Sequence, residues 1–296
     1  MKAPAFEYLT PSSLADVFAL LAHYGDEAQL LAGGQTLLAT LNMRLSEPMV
    51  LVDISRVNEL QGITVTANAL RIGALVTHSE IEHSSLIRQH APLLTLAAPY
   101  IAHRAIRNRG TWGGSIAYAD PAAEWPTCAL ALDAVVIVRS ECGERRINAE
   151  DFFLDLYTTS LAVGEVIIAC EIPLKSPDFR TGFDELARRH GDYAIVGLAI
   201  GLHMDGEMMK DARLAFLGIG RTPFRARRTE QFLTGRALTL ATCDDAVKIL
   251  QAELQNENAP LADLTNSVDT KRHLAGVLLH RILRQLAVHH VEESHV

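Results

Sequence analysis

Two diglycines, Gly33-Gly34 and Gly113-Gly114, restrict what this chain can fold into more than any other feature. The first is fed by Gln29-Leu-Leu-Ala, a short apolar run that reads as a buried strand. Thr36 then opens a helical stretch through Leu37, Leu38 and Leu41, with Pro48 beyond its end, and Val50-Leu-Val-Asp-Ile reads as the next strand. Strand, glycine loop, helix and strand make a parallel unit, because parallel neighbours need a crossover. The same order is a recipe for holding a pyrophosphate. Glycines let the backbone approach an anion and take positive φ, and the free N–H groups of a helix start stabilise negative charge. Taken alone the signal is weak, since a Gly-Gly pair before a helix is usually only a turn.

The second diglycine lies in Arg109-Gly-Thr-Trp-Gly-Gly-Ser-Ile-Ala-Tyr-Ala-Asp-Pro, which reads as an irregular glycine-rich stretch from Arg109 to Asp120. Thr111 and Ser115 flank it with hydroxyls. Arg104, Arg107 and Arg109 form a local basic run upstream, expected as a surface or subunit contact rather than a direct phosphate clamp. Asp120, fixed by Pro121, either accepts hydrogen bonds from a ribose or adenine or caps the following helix. A dinucleotide has two ends and a diphosphate to hold, so two such loops say more than one. Neither matches G-x-G-x-x-G, which disfavours a Rossmann nicotinamide site.

Elsewhere, Ser12 or Ser13 caps a helix from Leu14 to about His23, closed by Gly25. A hairpin runs through Ile63–Thr66 and Leu70–Gly73, with helical patches over Ser79–Ser85 and Pro92–Ala105. Ala134–Val138 and Val166–Ile172 are further strands, the latter ended by Pro173. Polar Lys175-Ser-Pro-Asp marks a boundary. Beyond it, Tyr193–Met204 and Asp211–Gly218 pair as antiparallel strands, and Thr270–Ala287 is a helix with Leu274, Leu278 and Ile282 on one face.

With 49% apolar residues the chain can build a sizeable core, and a net charge of −8 leaves no basic footprint for nucleic acid or anionic lipid. No apolar run approaches the roughly 20 residues of a membrane span, and the start lacks a signal-peptide pattern. A cytoplasmic location is the expectation. Cys128, Cys142, Cys170 and Cys243 form no C-x-x-C pair, so they read as mostly buried thiols rather than ligands of zinc or an iron–sulfur cluster. A redox role would therefore need an organic cofactor. His289, His290 and His295 suggest no metal site at a terminus. Glu124 and Asp133 lie near the second segment without acid–base spacing, so no catalytic residue is assigned.

Ala32-Gly-Gly-Gln-Thr together with Thr111-Trp-Gly-Gly-Ser and Ala119-Asp-Pro-Ala-Ala resembles the paired flavin motifs of the FAD-binding (medium) subunit of molybdenum hydroxylases. That group includes xanthine dehydrogenase, aerobic carbon monoxide dehydrogenase, and quinoline and nicotine hydroxylases. The likeness continues through Phe6 and Tyr8, Leu51-Val-Asp-Ile, Gly73-Ala-Leu-Val-Thr-His, Arg188-Arg-His-Gly-Asp-Tyr, Thr222-Pro-Phe-Arg-Ala and Arg272-His-Leu-Ala-Gly-Val-Leu. It implies an α+β chain: a two-subdomain FAD-binding fold of the vanillyl-alcohol oxidase/MurB type over 1–176, with subdomains about 1–57 and 58–176. A small antiparallel sheet with a three-helix bundle follows over 177–296. The resemblance places the diphosphate of FAD on Ala32, Gly33, Gly34, Gln35 and Thr36 and on Thr111, Gly113, Gly114 and Ser115. Further cofactor contacts fall on Leu31, Leu37, His78, Ile101, Ala117 and Asp120, and near the flavin ring on Leu161, Val166, Asp192 and Tyr193. It also implies a large molybdopterin subunit and a small subunit with [2Fe-2S] clusters, assembled as a dimer of heterotrimers, in which this chain passes electrons to an external acceptor.

Read from the residues alone, His78 is more readily a satisfied core histidine than a ligand contact, and Tyr193 is either a strand aromatic or, beside Gly191-Asp192, a residue well placed to cover a ring. Two departures stand out. Trp112 replaces a small aliphatic residue and is expected either to pack on adenine or to shift the loop. Glu185 stands where relatives often carry a lysine, which would make a reduced, anionic flavin less favourable. Gln35 replaces a small residue or histidine. Two rival readings remain from sequence: a self-sufficient FAD-dependent oxidase or reductase, and a non-catalytic nucleotide-binding scaffold.

Overall fold

In the computed structural model, which describes residues 2–257 and 259–293, Val50–Asp53 is the centre of a parallel sheet. Its neighbours are Glu7–Leu9 and Ala28–Leu31, both parallel to it. The helix Leu14–Tyr24 crosses over this sheet. Ser13 caps it, its hydroxyl accepting from the Asp16 amide at 3.1 Å, and Gly25 closes it at φ 51°. Leu14, Val17 and Phe18 are buried against Val50 and Val52, each contributing roughly 1.5–3 kcal/mol by leaving water. The side chains of His289, His290 and His295 lie outside the described residues.

The hairpin Ile63–Val65 and Ala69–Gly73 forms as the alternation predicts. It edges a five-stranded antiparallel sheet that continues through Val166–Pro173, Val135–Ser140 and Gly143–Asn148. Short helices cover this sheet, and the Pro92–Ala105 patch breaks into Pro92–Ala97, a tight turn over Ala98–Tyr100 and Arg104–Arg107. The Arg109–Asp120 stretch corrects the expectation of irregular backbone. Trp112–Tyr118 is a helix, started by Thr111, whose hydroxyl accepts from the Gly114 amide at 3.2 Å. Each glycine in a helix costs about 1 kcal/mol relative to alanine. The threonine cap and the burial of Trp112 and Ile116, one turn apart, offset that cost.

A four-stranded antiparallel sheet follows in the order Phe179–Leu186, Val196–Asp205, Met208–Leu217 and Phe224–Arg225. The first of these strands is invisible in the sequence, where charges and Gly182 interrupt its alternation. Both faces of the sheet are covered, which is why its central strands read as continuous apolar runs. Phe183, Ala199, Ala215 and Leu217 join the core that holds Trp125. Val196, Leu198, Ile200 and Phe216 face three helices, Arg227–Leu233, Leu240–Asn256 and Val268–Glu293. The architecture is α+β, as expected. No helix among the described residues is long and apolar enough to cross a membrane.

Candidate functional site

The two diglycine segments meet in space. A Cβ on Gly33 would lie 2.1 Å from the carbonyl oxygen of Arg109 and 2.8 Å from Cα of Gly110. One on Gly114 would lie 3.8 Å from Cβ of Ala32. Gly34 takes φ +73°, which turns the chain from the strand Ala28–Leu31 toward the helix Leu37–Asn42. Between the segments opens a cavity of about 370 Å³ lined by Ala32, Gly33, Ser55, Arg109 and Thr111.

Backbone hydrogen bonds separate the two segments. Among the described residues, the amides of Gly33, Gly34, Gln35, Thr36 and Leu37 donate to no protein acceptor. In the second segment Trp112 N donates to Val76 O and Gly113 N to Ala74 O, both at 2.8 Å. Gly114 N is held by the Thr111 hydroxyl, and Ser115 N by Thr111 O at 3.1 Å. The first segment therefore offers donors to an anion, whereas the second diglycine has spent its own. Gln35, exposed, folds its side chain back so that Nε2 donates to Gly33 O at 3.1 Å.

His78 anchors the second segment. Its amide donates to Gly110 O at 2.9 Å, and its Nδ1 accepts from Trp125 Nε1 at 2.8 Å. Burial, followed by the nearby Arg107, holds the imidazole down to about 3, so it is neutral with its remaining proton on Nε2. That ring nitrogen faces Gly110, where a Cβ would come within 2.5 Å. His78 is thus buried in the core, as the residues alone suggest, and among the described residues no protein group accepts its Nε2 proton. Trp112 is fully buried against Trp125, ring centroids 5.4 Å apart, so its ring packs inward rather than onto an adenine in the cavity. Arg107 is tied to Glu82 at 2.9 Å and to the Ile101 carbonyl at 3.0 Å. Within the basic run, Arg109 reaches the cavity wall.

A second cluster gathers Tyr118, Tyr157 and Tyr193 with Asp120 and Glu124. The Tyr118 and Tyr157 rings sit 5.1 Å apart at 55°. Asp120 accepts from the Ala122 amide at 2.9 Å, capping the following chain, while burial raises its carboxyl. Desolvation of its hydroxyl, then the charge of Asp120, pushes Tyr193 up to about 12, although 71% of the residue's surface stays open. Gly191, at φ +84°, packs on His103 and Ala102 and so delivers exposed Asp192 and Tyr193 to this side of the molecule. Leu31, Ile101 and Val166 belong to the packed interior at 9%, 8% and 2% exposure, and Leu37 and Leu161 are half-buried. Ala117 is exposed on the outer face of the Trp112–Tyr118 helix.

Sequence reasoning missed Ser55 on the cavity wall, the tyrosines 118 and 157, and the raised carboxyl of Glu124. Burial pushes Glu124 up to about 7 and Glu185 up to about 8, and the charge of Glu124 adds to the rise at Glu185.

A cleft walled by Gly33, the first of five unpaired amides that follow a parallel strand, is the arrangement a nucleotide diphosphate needs. Residues 4–175 match the FAD binding domain in molybdopterin dehydrogenase, and residues 181–286 match the CO dehydrogenase flavoprotein C-terminal domain. The chain is 42% identical to the 6-hydroxypseudooxynicotine dehydrogenase complex subunit alpha of Paenarthrobacter nicotinovorans, over 81% of each chain. It is 33% identical to the carbon monoxide dehydrogenase medium chain of Hydrogenophaga pseudoflava, over 96% of this chain and 97% of the other. The solved quinoline 2-oxidoreductase of Pseudomonas putida 86 superposes with a TM-score of 0.91 at 37% identity, covering 98% and 99%. The chain belongs to the FAD-binding subunit family of the molybdenum hydroxylases, a family of oxidoreductase subunits. FAD fits the residues present: its diphosphate needs several donors at one point, and the unpaired amides of 33–37 supply them.

Proposed function

We propose that this chain is the electron-transfer subunit of a heterotrimeric molybdenum hydroxylase, lying in the cytoplasm. Its partners would be a large molybdopterin subunit, where substrate is hydroxylated, and a small subunit with [2Fe-2S] clusters, from which electrons come. They leave this chain for an external acceptor. FAD supplies the carrier that receives electrons singly and releases them singly or in pairs. Residues 1–176, in subdomains of about 1–57 and 58–176, would hold it, and 177–296 would form the C-terminal domain. The family matches, ending at 175 and resuming at 181, support that division.

The observation that carries the reading is the row of unpaired amides from Gly33 to Leu37, which begins on the wall of the cleft that Gly33 shares with Thr111. Those amides bind the diphosphate, the Thr111 hydroxyl adds a donor from the other wall, and Tyr193 with Tyr157 screens the ring from water. The names of relatives as medium chain and as complex subunit support assembly with other chains. The test is co-purification with the neighbouring gene products. The complex should absorb at roughly 450 nm as oxidised flavin does, weigh as a dimer of heterotrimers, and be bleached by substrate only when all three chains are present. Turnover of an organic substrate by the lone chain would support a self-sufficient oxidase and overturn this division of labour. Absence of stoichiometric flavin would leave a nucleotide-binding scaffold.

A further inference from the structure

With 35 acidic side chains against 27 Lys and Arg, a surface where arginines gather without acids is an exception in this chain. One forms where the turn after the strand Phe179–Leu186 meets the segment before the helix Arg104–Arg107. Asp192 N donates to Arg189 O at 3.1 Å and closes the turn. Gly191, at φ +84°, then lies against His103. A Cβ there would come within 2.6 Å of His103 Cε1 and 3.2 Å of the Ala102 carbonyl oxygen. Arg188, Arg189, His190 and Arg104 are each at most three residues along the chain from that contact. These four and His103 are all exposed.

Nearby arginines are neutralised, but those of the turn are not. Arg107 is tied to Glu82 at 2.9 Å and to the Ala102 carbonyl at 3.3 Å, and Arg281 to Asp184 at 2.6 Å. Among the described residues, Arg104, Arg188 and Arg189 make no ion pair, and Arg188 reaches only the Thr265 hydroxyl, at 3.5 Å. Asp192, exposed, is the one carboxylate in the turn. Unpaired surface guanidiniums add little to stability, yet they set the local field. The next residue, Tyr193, is 71% exposed and screens the flavin ring in the proposed reading. The positive surface therefore borders the place from which electrons would leave.

We propose that Arg104, Arg188 and Arg189, with His103 and His190, form the docking surface for an electron-accepting protein whose contact face is rich in carboxylates. The inference rests on the electron-transfer reading above. A guanidinium is a planar, two-pronged donor that matches a carboxylate. A positive patch on a chain of net charge −8 also orients an acidic partner, drawing its charge to the patch while the remaining surface repels it. Each docked carrier takes one electron, so two dock in turn to oxidise the reduced cofactor, whose protons pass to water.

The test uses the assembled complex and two soluble one-electron carriers as probes: plastocyanin, which has an acidic face, and cytochrome c, which has a basic one. Binding of each is followed by surface plasmon resonance across ionic strength, together with the rate at which each reoxidises the flavin. Plastocyanin binding should weaken as salt rises, the opposite of what repulsion by the whole chain would give. The double variant Arg104→Glu/Arg189→Glu should slow plastocyanin association about tenfold or more and leave cytochrome c association no slower. Lys210→Glu/Lys248→Glu makes the same charge change at exposed sites elsewhere and should do neither. Plastocyanin binding that is absent or that strengthens with salt overturns the proposal on the wild type alone, whether or not the variants fold. Equal losses in the two double variants overturn it as well. So does an Arg104→Glu/Arg189→Glu complex that sheds its small subunit or whose flavin is reduced more slowly by substrate, because the patch is then a seat within the complex. Binding needs no flavin, so a complex without FAD sinks the electron-transfer reading and leaves the docking surface to be decided by binding itself.

Discussion

The two diglycines share a dipeptide and a cleft, yet they do different physical jobs. Gly33-Gly34 turns a strand into a helix, with Gly34 at positive φ and five consecutive amides left without a partner. Gly113-Gly114 is the first turn of a helix, with its amides spent on Ala74 and on the Thr111 hydroxyl. Gly113 is needed for a second reason. A Cβ there would meet Ala74 Cβ at 2.5 Å, so the helix packs against the chain only without one. In the proposed reading the first glycine pair serves binding, whereas the second serves packing. Their hydroxyl neighbours reinforce the contrast, since Thr111 gives its oxygen to the helix while its proton remains available to a ligand.

The strongest way to break that comparison is Gly33→Ala. The new methyl would fall 2.1 Å from a carbonyl oxygen of the other segment, so the segments must separate. We expect a loss of about 3 kcal/mol by overpacking and purification without flavin, read from the ratio of visible to ultraviolet absorbance. Retention of full flavin content would show that the two segments need not touch. Gly113→Ala is the milder contrast. Overpacking against Ala74 is partly offset by alanine's helix preference, for a net cost of about 1–2 kcal/mol. Thermal melting of the apo chain should fall, while flavin affinity measured at low temperature changes less than in Gly33→Ala. The reverse ranking would make the second diglycine the binding element.

The smallest effect at neutral pH comes from acid. Folded His78 resists protonation until about 3, whereas the unfolded chain takes up that proton near 6.5. Unfolded chains thus bind more protons in this window, and stability falls as pH drops from about 6.5 toward about 3. Because His78 holds Gly110, amide exchange at residues 110–114 should rise on acidification before exchange in the Leu14–Tyr24 helix does. Equal rises in both would remove the anchoring role.

Local signals were legible wherever one residue makes one decision. Ser13 and Gly25 bound the first helix, the alternation of Ile63–Val65 and Ala69–Gly73 forms the predicted hairpin, and the parallel unit around the first diglycine is present. Reading failed where two signals compete or distant residues meet. Glycines at 113 and 114 argue against helix, and only the burial of Trp112 and Ile116 overrules them. Phe179–Leu186 mixes apolar and charged residues because one face covers the core while Glu185 is trapped in a seam. Trp112 could not be placed from its neighbours along the chain, because its partner is Trp125 in the next helix.

The order of residues alone determined that a strand, a glycine turn and a helix start would follow one another, since φ freedom and capping act over a few bonds. It also determined, through the motif resemblance, which family of flavin-binding chains this one belongs to. The convergence of the two segments, and the emptiness of one set of amides and the engagement of the other, were decided by the tertiary structure. Hydrogen-bond satisfaction and desolvation depend on which groups become neighbours after the chain has folded back on itself, and no local pattern encodes that distance.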